Sequence, residues 1–348
     1  MNQVVINIIS GKGGTGKTLL SAVLAETLGN NGSNVLLIDL DVFVRGLTAL
    51  LYYQKGESLN LIKDGDLPVS EFFRNKSDIY NHTNNARLAI ARYRSFDIVP
   101  SVGMVNETLS FRDIMPNTVE EAKNIIKLII ESIPKEYDFI LLDSRAGYDE
   151  LISATHSISD FSICVVEDDN ISMVTSDNLI EQLKMDSKNP IFILKNKVRN
   201  ILLDRSDNEI YNKGLNFIGE VPFDIDVMNS FGSRTFWDEI NRTMFRDALA
   251  DAWNLLSKKM DLNVELKIKR LNPVGFKNIE KRLSLFVSKD RILFLYGLII
   301  GIFGIVFGFS EHGWINFFAE NPIRLISILC GIFGFSMSIF VSFRRGKK

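Results

Sequence analysis

The sequence has little of the chemistry that builds metal clusters or redox centres. It contains only two cysteines, Cys164 and Cys330, and each lies in an apolar run without a CxxC partner. This spacing argues against a cysteine-ligated cluster or a redox pair and predicts two buried small side chains. The three histidines are isolated from one another, so we assign none of them to catalysis.

An excess of basic charge is also missing. The formal net charge is -2 at pH 7 and the isoelectric point is about 6.0, which argues against a protein that coats nucleic acid. The first ten residues, MNQVVINIIS, have no basic region and no cleavage site. They predict a first strand rather than a signal peptide.

The most informative stretch is GKGGTGKT, residues 11 to 18. It matches GxxxxGK[ST] and lies between a predicted strand, residues 4 to 9, and a predicted helix, residues 19 to 28. Glycines allow backbone N–H groups to turn towards phosphate oxygens, and the helix N-terminus attracts negative charge. Lys17 would reach the β and γ phosphates, and Thr18 would offer its hydroxyl to Mg²⁺.

The loop therefore predicts an ATP–Mg²⁺ site, with a glycine turn of no function as the alternative. We assign the whole loop to nucleotide binding: Gly11, Lys12, Gly13, Gly14, Thr15, Gly16, Lys17 and Thr18.

Buried strands alternate with helices along most of the chain. This order predicts an α/β fold with a mostly parallel sheet and helices on both faces, whose strand C-terminal ends form the binding edge. A capping box, Thr118 with Glu121, predicts the start of one helix. A long helix is predicted over residues 236 to 259, and residues 43 to 95 predict only loops and short helices.

The second lysine of the loop carries a family resemblance. The form KGGxGKT resembles the deviant Walker A motif of the MinD/ParA family of P-loop ATPases. In that family the early lysine reaches across a dimer to the partner's nucleotide. The resemblance implies that Lys12 does so here, as a catalytic group beside Lys17, in a homodimer held by ATP.

Two further stretches support the resemblance. LIDLDVFVRGL resembles the segment that carries the family's catalytic carboxylate, which implies that Asp41 activates the attacking water beside Mg²⁺. Asp39 is its companion at the strand end. The spacing from Asp41 to Arg45 is more similar to the MinD branch than to the ParA branch.

The other stretch, YDFILLDSRAG, resembles the family's second carboxylate strand. It implies that Asp143 holds Mg²⁺ through water and that Gly147 forms a switch near the γ-phosphate. Arg145 stands where the family usually has proline. It could supply a cation to phosphate or to a partner, or it could be a plain surface arginine.

The base site is implied more weakly. FILKNKV ends a late strand where the family has an asparagine that contacts adenine, so Asn196 is the candidate. Pro222 to Asp224 fall where the family closes over the base, although a turn without function is an alternative. The resemblance covers residues 1 to 256, and we expect the ATPase domain to span residues 1 to 257.

The composition changes near residue 258. Residues 258 to 290 form a basic segment that we interpret as a juxtamembrane linker or an amphipathic helix on the membrane surface. Two runs without a charged residue follow, 292 to 309 and 325 to 343, and as helices each would span roughly 27 to 29 Å, about one bilayer core. They predict a transmembrane hairpin over residues 291 to 343, with two buried core helices as the alternative.

Basic residues flank this predicted hairpin on both sides, and the tail of residues 344 to 348 is basic. The positive-inside rule therefore predicts that the ATPase domain and both termini lie in the cytoplasm, at the inner (plasma) membrane. Glycines recur along both runs and favour either packing within the hairpin or oligomerisation between chains.

These features together predict a membrane-anchored ATPase switch that positions or regulates an unidentified protein partner. Cell organisation, surface assembly and defence against phage are all compatible with it. One alternative is a nucleotide-binding membrane scaffold with little hydrolysis, which Arg145 keeps open. Another is DNA partitioning, which the acidic isoelectric point disfavours.

Overall fold

The computed structural model of the chain describes only part of the sequence: residues 3–55, 62, 65–74, 87–104, 107–198, 216–241 and 243–268. No helix within these ranges is long and apolar enough to cross a membrane. The two uncharged runs of the predicted hairpin, the basic tail and most of the basic segment lie outside the described residues. Cys164 is buried as predicted, and Cys330 also lies outside them.

The strands of the described residues are β1 (Val4–Ser10), β2 (Val35–Asp39), β3 (Asp66–Leu67), β4 (Arg87–Leu88), β5 (Ala91–Tyr93), β6 (Phe96–Val99), β7 (Phe139–Ala146), β8 (Phe161–Glu167), β9 (Ile191–Val198) and β10 (Asn216–Pro222). Eight of them form one sheet in the order β10-β9-β8-β1-β7-β2-β6-β5. All pairs in it are parallel except β5 with β6. The prediction of a mostly parallel α/β sheet is confirmed.

The helices are α1 (Lys17–Asn30), α2 (Gly46–Lys55), α3 (Val69–Arg74), α4 (Phe111–Ile114), α5 (Val119–Glu131), α6 (Glu150–Ile158), α7 (Asn170–Asp186), α8 (Ile225–Ser230), α9 (Phe236–Ile240) and α10 (Met244–Lys259). Alternate residues of β7 show how these helices cover the sheet. Phe139 and Leu141 pack with α1 and α10 on one face, whereas Ile140 and Leu142 pack with α5 on the other. Burial on both faces explains why the central strands are continuous apolar runs.

The helix predicted over residues 236 to 259 is wrong in one respect, because it is broken between α9 and α10. The hydroxyl of Thr243 donates to the carbonyl oxygen of Ile240 at 3.1 Å. In a continuous helix that carbonyl would accept the N–H four residues later. The prediction for residues 43 to 95 was also incomplete, because it missed strands β3, β4 and β5.

The predicted capping box is present at the start of α5. Thr118 is the N-cap residue, and its hydroxyl accepts the backbone N–H of Glu121 at 3.1 Å. The Glu121 carboxylate accepts the backbone N–H of Asn117 at 2.8 Å. Both bonds satisfy donors at the helix start.

The compact unit extends beyond the expected boundary at residue 257 and reaches Lys269. Residues 262–268 run back along α10, where the side chain of Asn254 bonds both backbone groups of Leu266. Trp253 donates its indole N–H to a carbonyl of the same segment at 3.1 Å. The first part of the predicted linker is therefore packed against the ATPase domain.

Candidate nucleotide site

The phosphate loop lies between the end of β1 and the start of α1, as predicted. Gly16 is the N-cap of α1 with φ 92°, and Gly14 has φ 80°, a backbone region that favours glycine. Gly11 is required for another reason, because a side chain there would collide with the backbone of Thr175 in α7. The loop thus has the left-handed turns and the close packing that a phosphate cradle needs.

Lys17, Thr18 and Asp143 come together at the base of this loop. Burial raises the pKa of Asp143 to about 6, against the opposing effect of Lys17 and of hydrogen bonds from Ser21 and Thr18. The hydroxyl of Ser21 lies 2.9 Å from the carboxylate. The lysine and the threonine hydroxyl therefore lie close enough to the buried carboxylate to stabilise its charged form.

Asp39 lies directly beside Asp143, because the two are register partners in the β2–β7 pair. It is fully buried, and its carboxylate accepts both the backbone N–H of Thr48, at 2.8 Å, and its hydroxyl, at 2.6 Å. Burial and the neighbouring Asp143 raise the pKa of Asp39 to about 7. Asp41 follows, with its own N–H bonded to the Asp39 carboxylate at 3.1 Å.

This donor set fits Mg²⁺. Asp41 raises the pKa of both Asp39 and Asp143, so the three carboxylates act on one another electrostatically. The described residues contain no group of three or more histidine, cysteine, aspartate or glutamate side chains placed to hold a metal ion by themselves. Like charges that interact in this way are unfavourable until a cation joins them. Thr18, Asp41 and Asp143 would offer the oxygen ligands that Mg²⁺ prefers, together with the phosphates of a bound nucleotide.

The side chain of Lys12 makes no hydrogen bond or ion pair with the other residues of its own loop. Its Nζ lies 2.7 Å from Oδ2 of Asp169 and 3.2 Å from Oε2 of Glu167. These contacts, led by the hydrogen bond to Asp169, raise the pKa of Lys12 and lower that of Asp169. Lys12 is thus a charged side chain at the edge of the loop, neutralised by two acids that the sequence analysis missed.

Gly147 and Arg145 lie at the end of β7. Gly147 has φ 88°, and its N–H donates to the carbonyl of Ser10, just before the loop, at 2.9 Å. The guanidinium of Arg145 lies 3.2 Å from the carboxylate of Asp149 and 5.8 Å from the ring centre of Phe43. Arg145 is therefore engaged within the chain rather than a plain surface side chain.

A cavity of about 240 Å³ opens beside the loop. A cavity of roughly 150 Å³ holds benzene, so this one accommodates a two-ring base. Asn196 and Pro222 both line it, as do Phe223 and Asp224, so the structure brings the predicted base-site residues together. Their neighbours in the lining are Gly14, Gly16, Lys17, Thr18, Leu19, Lys197, Val227, Met228, Phe231 and Phe245.

Asn196 has a fixed orientation in this cavity. Its Nδ2 donates to the carbonyl oxygen of Thr15 at 2.7 Å, and that carbonyl can only accept, so the amide oxygen faces away from it. This Oδ1 atom and the hydroxyl of Thr15 are buried and have no hydrogen-bond partner in the described part of the chain. Asn196 lines the cavity but Thr15 does not, so of these two unsatisfied atoms only the amide oxygen belongs to a residue that a ligand in the cavity would contact.

A protein-family model described as "AAA domain" matches residues 3–198, more than half of the chain. The chain belongs to the MinD/ParA family of P-loop ATPases. It is 26% identical over 231 residues to an uncharacterised ATP-binding protein of Methanocaldococcus jannaschii, covering 65% of this chain and 77% of that one. It is 22% identical to the septum site-determining protein MinD of Bacillus subtilis, covering 66% and 80%.

The fold agrees with this membership. The MinD structure of Pyrococcus horikoshii complexed with Mg-ADP superimposes with a TM-score of 0.55 and 19% identity, covering 75% of this chain and 99% of that one.

Within this MinD/ParA ATPase, sequence reasoning missed the apolar wall of the base cavity. Val227 and Met228 line it from α8 and Phe231 from the turn after it, and Val227 and Phe231 have the four-residue spacing of neighbours on a helix surface. That pattern could have revealed them. Lys197 was missed as well, although it follows Asn196 directly and its Nζ lies 2.6 Å from the carbonyl of Gly14.

Proposed function

We propose that this MinD/ParA ATPase is a membrane-held switch, which binds ATP with Mg²⁺, dimerises through the nucleotide and regulates a protein partner at the membrane. The observation that carries the proposal is the position of Lys12. It lies at the loop but is ion-paired to Glu167 and Asp169 and does not bond its own loop. With about a quarter of its side chain exposed, it is available to a nucleotide bound by a second copy.

The residues of the site divide the work of hydrolysis between them. Lys17 and the backbone of the loop bind and orient the phosphates, and Thr18 with Asp143 would hold Mg²⁺, which when bound offsets charge on the phosphate oxygens. Asp41 is partly exposed, and it would both lie next to Mg²⁺ and accept a proton from an attacking water. Lys12 of a second copy would add a further positive charge beside the phosphate oxygens.

Membrane attachment rests on the sequence beyond the described residues. The uncharged runs 292 to 309 and 325 to 343, with basic residues on both flanks, support a hairpin with the ATPase on the cytoplasmic side. A permanent anchor leaves the nucleotide cycle free to control dimerisation and partner binding. The Bacillus subtilis relative is named for septum-site determination, which favours cell organisation as the process that this switch serves.

The test compares the full-length protein with Lys12→Gln and with a matched control, Lys188→Gln, which removes an exposed lysine away from the site. In the wild type and the control, ATP turnover per chain should rise with protein concentration, because catalysis needs two copies. In Lys12→Gln it should stay low and independent of concentration, while ATP binding persists. Equal turnover in all three proteins would contradict the proposal that hydrolysis depends on a dimer. ATP binding without turnover in the wild type would favour the alternative of a nucleotide-binding membrane scaffold.

A further inference from the structure

We propose that Arg145 is a positioning residue that joins the segment carrying Asp41 to the segment carrying Gly147, so that the two respond to the nucleotide together. This inference rests on the proposed ATP hydrolysis at the site. It concerns a residue that replaces the usual proline and that belongs to neither the phosphate loop nor the carboxylate cluster.

Arg145 is the last residue but one of β7. Asp143 faces α1, whereas Arg145, beyond a shift in the β1–β7 register, contacts Met115 on the face of the sheet that α5 covers. The backbone N–H of Leu40 donates to the carbonyl of Asp143 at 3.1 Å. The chain that leaves β2 towards Asp41 therefore runs beside the end of β7, within reach of the arginine.

The guanidinium of Arg145 contacts two aromatic rings and a methionine sulfur. It lies 5.8 Å from the ring centre of Phe43 and 5.9 Å from that of Phe111, and these two rings stack on each other with their centres 5.1 Å apart. Its Nη1 lies 3.7 Å from the sulfur of Met115. Each ring distance is near the outer limit of a cation–π contact. The guanidinium is therefore held by several weak contacts together rather than by one strong contact.

Phe43 and Asp41 belong to one hydrogen-bonded turn. The carboxylate of Asp41 accepts the N–H of Val44 at 3.1 Å, and its carbonyl accepts the N–H of Arg45 at 2.8 Å. Arg45 has φ 57°, an uncommon conformation that tertiary contacts must hold. Because this turn is closed by its own hydrogen bonds, a shift of the Phe43 ring is transmitted to the Asp41 carboxylate.

Arg145 also contacts the segment that carries Gly147. Arg145 and Asp149 form an ion pair at 3.2 Å, four residues apart, and Gly147 lies between them. Asp149 is fixed as the N-cap of α6, where it accepts the N–H of Ile152 at 2.8 Å. The pair therefore closes the loop around Gly147, the residue expected to sense the γ-phosphate.

The peripheral member of this group makes the proposal testable. Phe111 lies in α4 with 56% of the residue's surface exposed, outside the hydrophobic core. Replacing it with leucine removes the ring that the guanidinium contacts, whereas replacing it with tyrosine keeps that ring. Ile114 and Met115 of the same region are buried, so α4 should stay anchored in both variants.

The experiment measures ATP affinity, single-turnover hydrolysis and amide hydrogen exchange on the full-length protein. The variants are Arg145→Gln, Phe111→Leu, their combination and Phe111→Tyr, with Arg92→Gln as a control that removes an ion-paired arginine, 3.3 Å from Asp97, at the sheet edge. Arg145→Gln and Phe111→Leu should each slow hydrolysis about 5- to 10-fold with little change in affinity. The combination should be no slower than Arg145→Gln alone, and Phe111→Tyr should retain most of the activity.

The exchange data report the link directly. In the wild type, ATP should slow exchange of the amides of residues 41–47, and this protection should be reduced in Arg145→Gln and in Phe111→Leu but kept in the two controls. Wild-type behaviour of both variants would overturn the inference. A loss of ATP affinity in Arg145→Gln alone would overturn it too, since it would place the guanidinium on the phosphates. If the wild type neither binds nor hydrolyses ATP, it is the proposed function that fails.

Discussion

The Nζ of Lys12 lies 2.7 Å from Oδ2 of Asp169, while Oδ1 of the same carboxylate accepts the backbone N–H of Ser172 at 2.8 Å. One acid thus holds the loop lysine and caps helix α7. Because the cap uses the other oxygen, Lys12 can leave without any change in the helix. The cost of moving it to a second copy is therefore confined to the ion pairs with Asp169 and Glu167.

The first prediction tests this cost with Asp169→Asn. Asparagine keeps the helix cap but removes the charge, so Lys12 is released more easily. We expect half-maximal dimerisation at an ATP concentration about 2- to 5-fold lower than in the wild type, as befits a partly exposed ion pair. Chemical cross-linking of the full-length protein across an ATP titration measures it, and a midpoint that does not move, or that rises, would contradict the prediction.

The second prediction separates binding from chemistry. Asp41→Ala should bind ATP nearly as well as the wild type, but its rate of ATP hydrolysis should fall by about 100-fold or more, because a general base is removed. Lys17→Ala should weaken binding itself. Asp168→Asn is the control, since Asp168 pairs with Lys195 at 2.8 Å on a neighbouring strand end. Wild-type turnover by Asp41→Ala would show that another group activates the water.

The sequence predicted the phosphate loop and the parallel sheet because local chemistry determines both. Glycines with positive φ, as at Gly14 and Gly16, and strands buried on two faces leave a strong pattern in the sequence. The family resemblance then pointed to Asp39, Asp41 and Asp143, which the structure brings together through the register of β2 with β7.

The parts that the sequence did not predict depend on contacts between distant segments. Glu167 and Asp169 reach Lys12 only because β8 lies beside β1 in the sheet. The partners of Arg145 include Phe111, which is 34 residues earlier in the chain and joined to it by tertiary packing. Neither relationship has a periodicity or a spacing that a single sequence could show.

The third prediction concerns the choice of base. Oδ1 of Asn196 is a buried acceptor without a partner in the described residues, which suits the amino group of adenine and not the carbonyl of guanine. The wild type should therefore prefer ATP to GTP, and Asn196→Leu should reduce that preference about 10-fold. Competition binding with both nucleotides measures the ratio.

Lys197→Met is the matched control for this ratio. Lys197 also donates to a carbonyl of the loop, that of Gly14 at 2.6 Å, but it offers the base no acceptor. Its loss should weaken ATP and GTP alike. An unchanged ratio in Asn196→Leu, or a ratio changed equally by Lys197→Met, would show that Asn196 only supports the loop.

The fourth prediction is a pH dependence of stability from His156. Its side chain is fully buried, and its Nδ1 lies 2.8 Å from the hydroxyl of Ser162. Burial lowers the pKa of His156 to about 4, partly offset by Asp186. The unfolded chain, with a histidine pKa near 6.5, then binds more protons between these values, so stability is full above about pH 6.5 and falls as the pH is lowered.

We expect a loss of about 1 to 2 kcal/mol in the free energy of unfolding between pH 7 and pH 5 from this residue. Urea unfolding of the full-length protein followed by tryptophan fluorescence measures it. His156→Asn keeps a group that can bond Ser162 but does not titrate in this range, so its stability should change less between the two pH values. Equal losses in both proteins would assign the effect to other groups.

The last prediction is the membrane topology of the region beyond the described residues. In a bilayer every backbone polar group must be satisfied internally, and two helices over the uncharged runs do this. A cysteine at Asn316, between the runs, should react with a membrane-impermeant maleimide added to intact cells, and one at Gly346 should react only after lysis. Cys330→Ser provides the background, because Cys164 is fully buried. The reverse labelling would place the ATPase away from its nucleotide, and release of the protein by alkaline carbonate would show that neither run spans the membrane; either result would remove the anchor from the proposed switch.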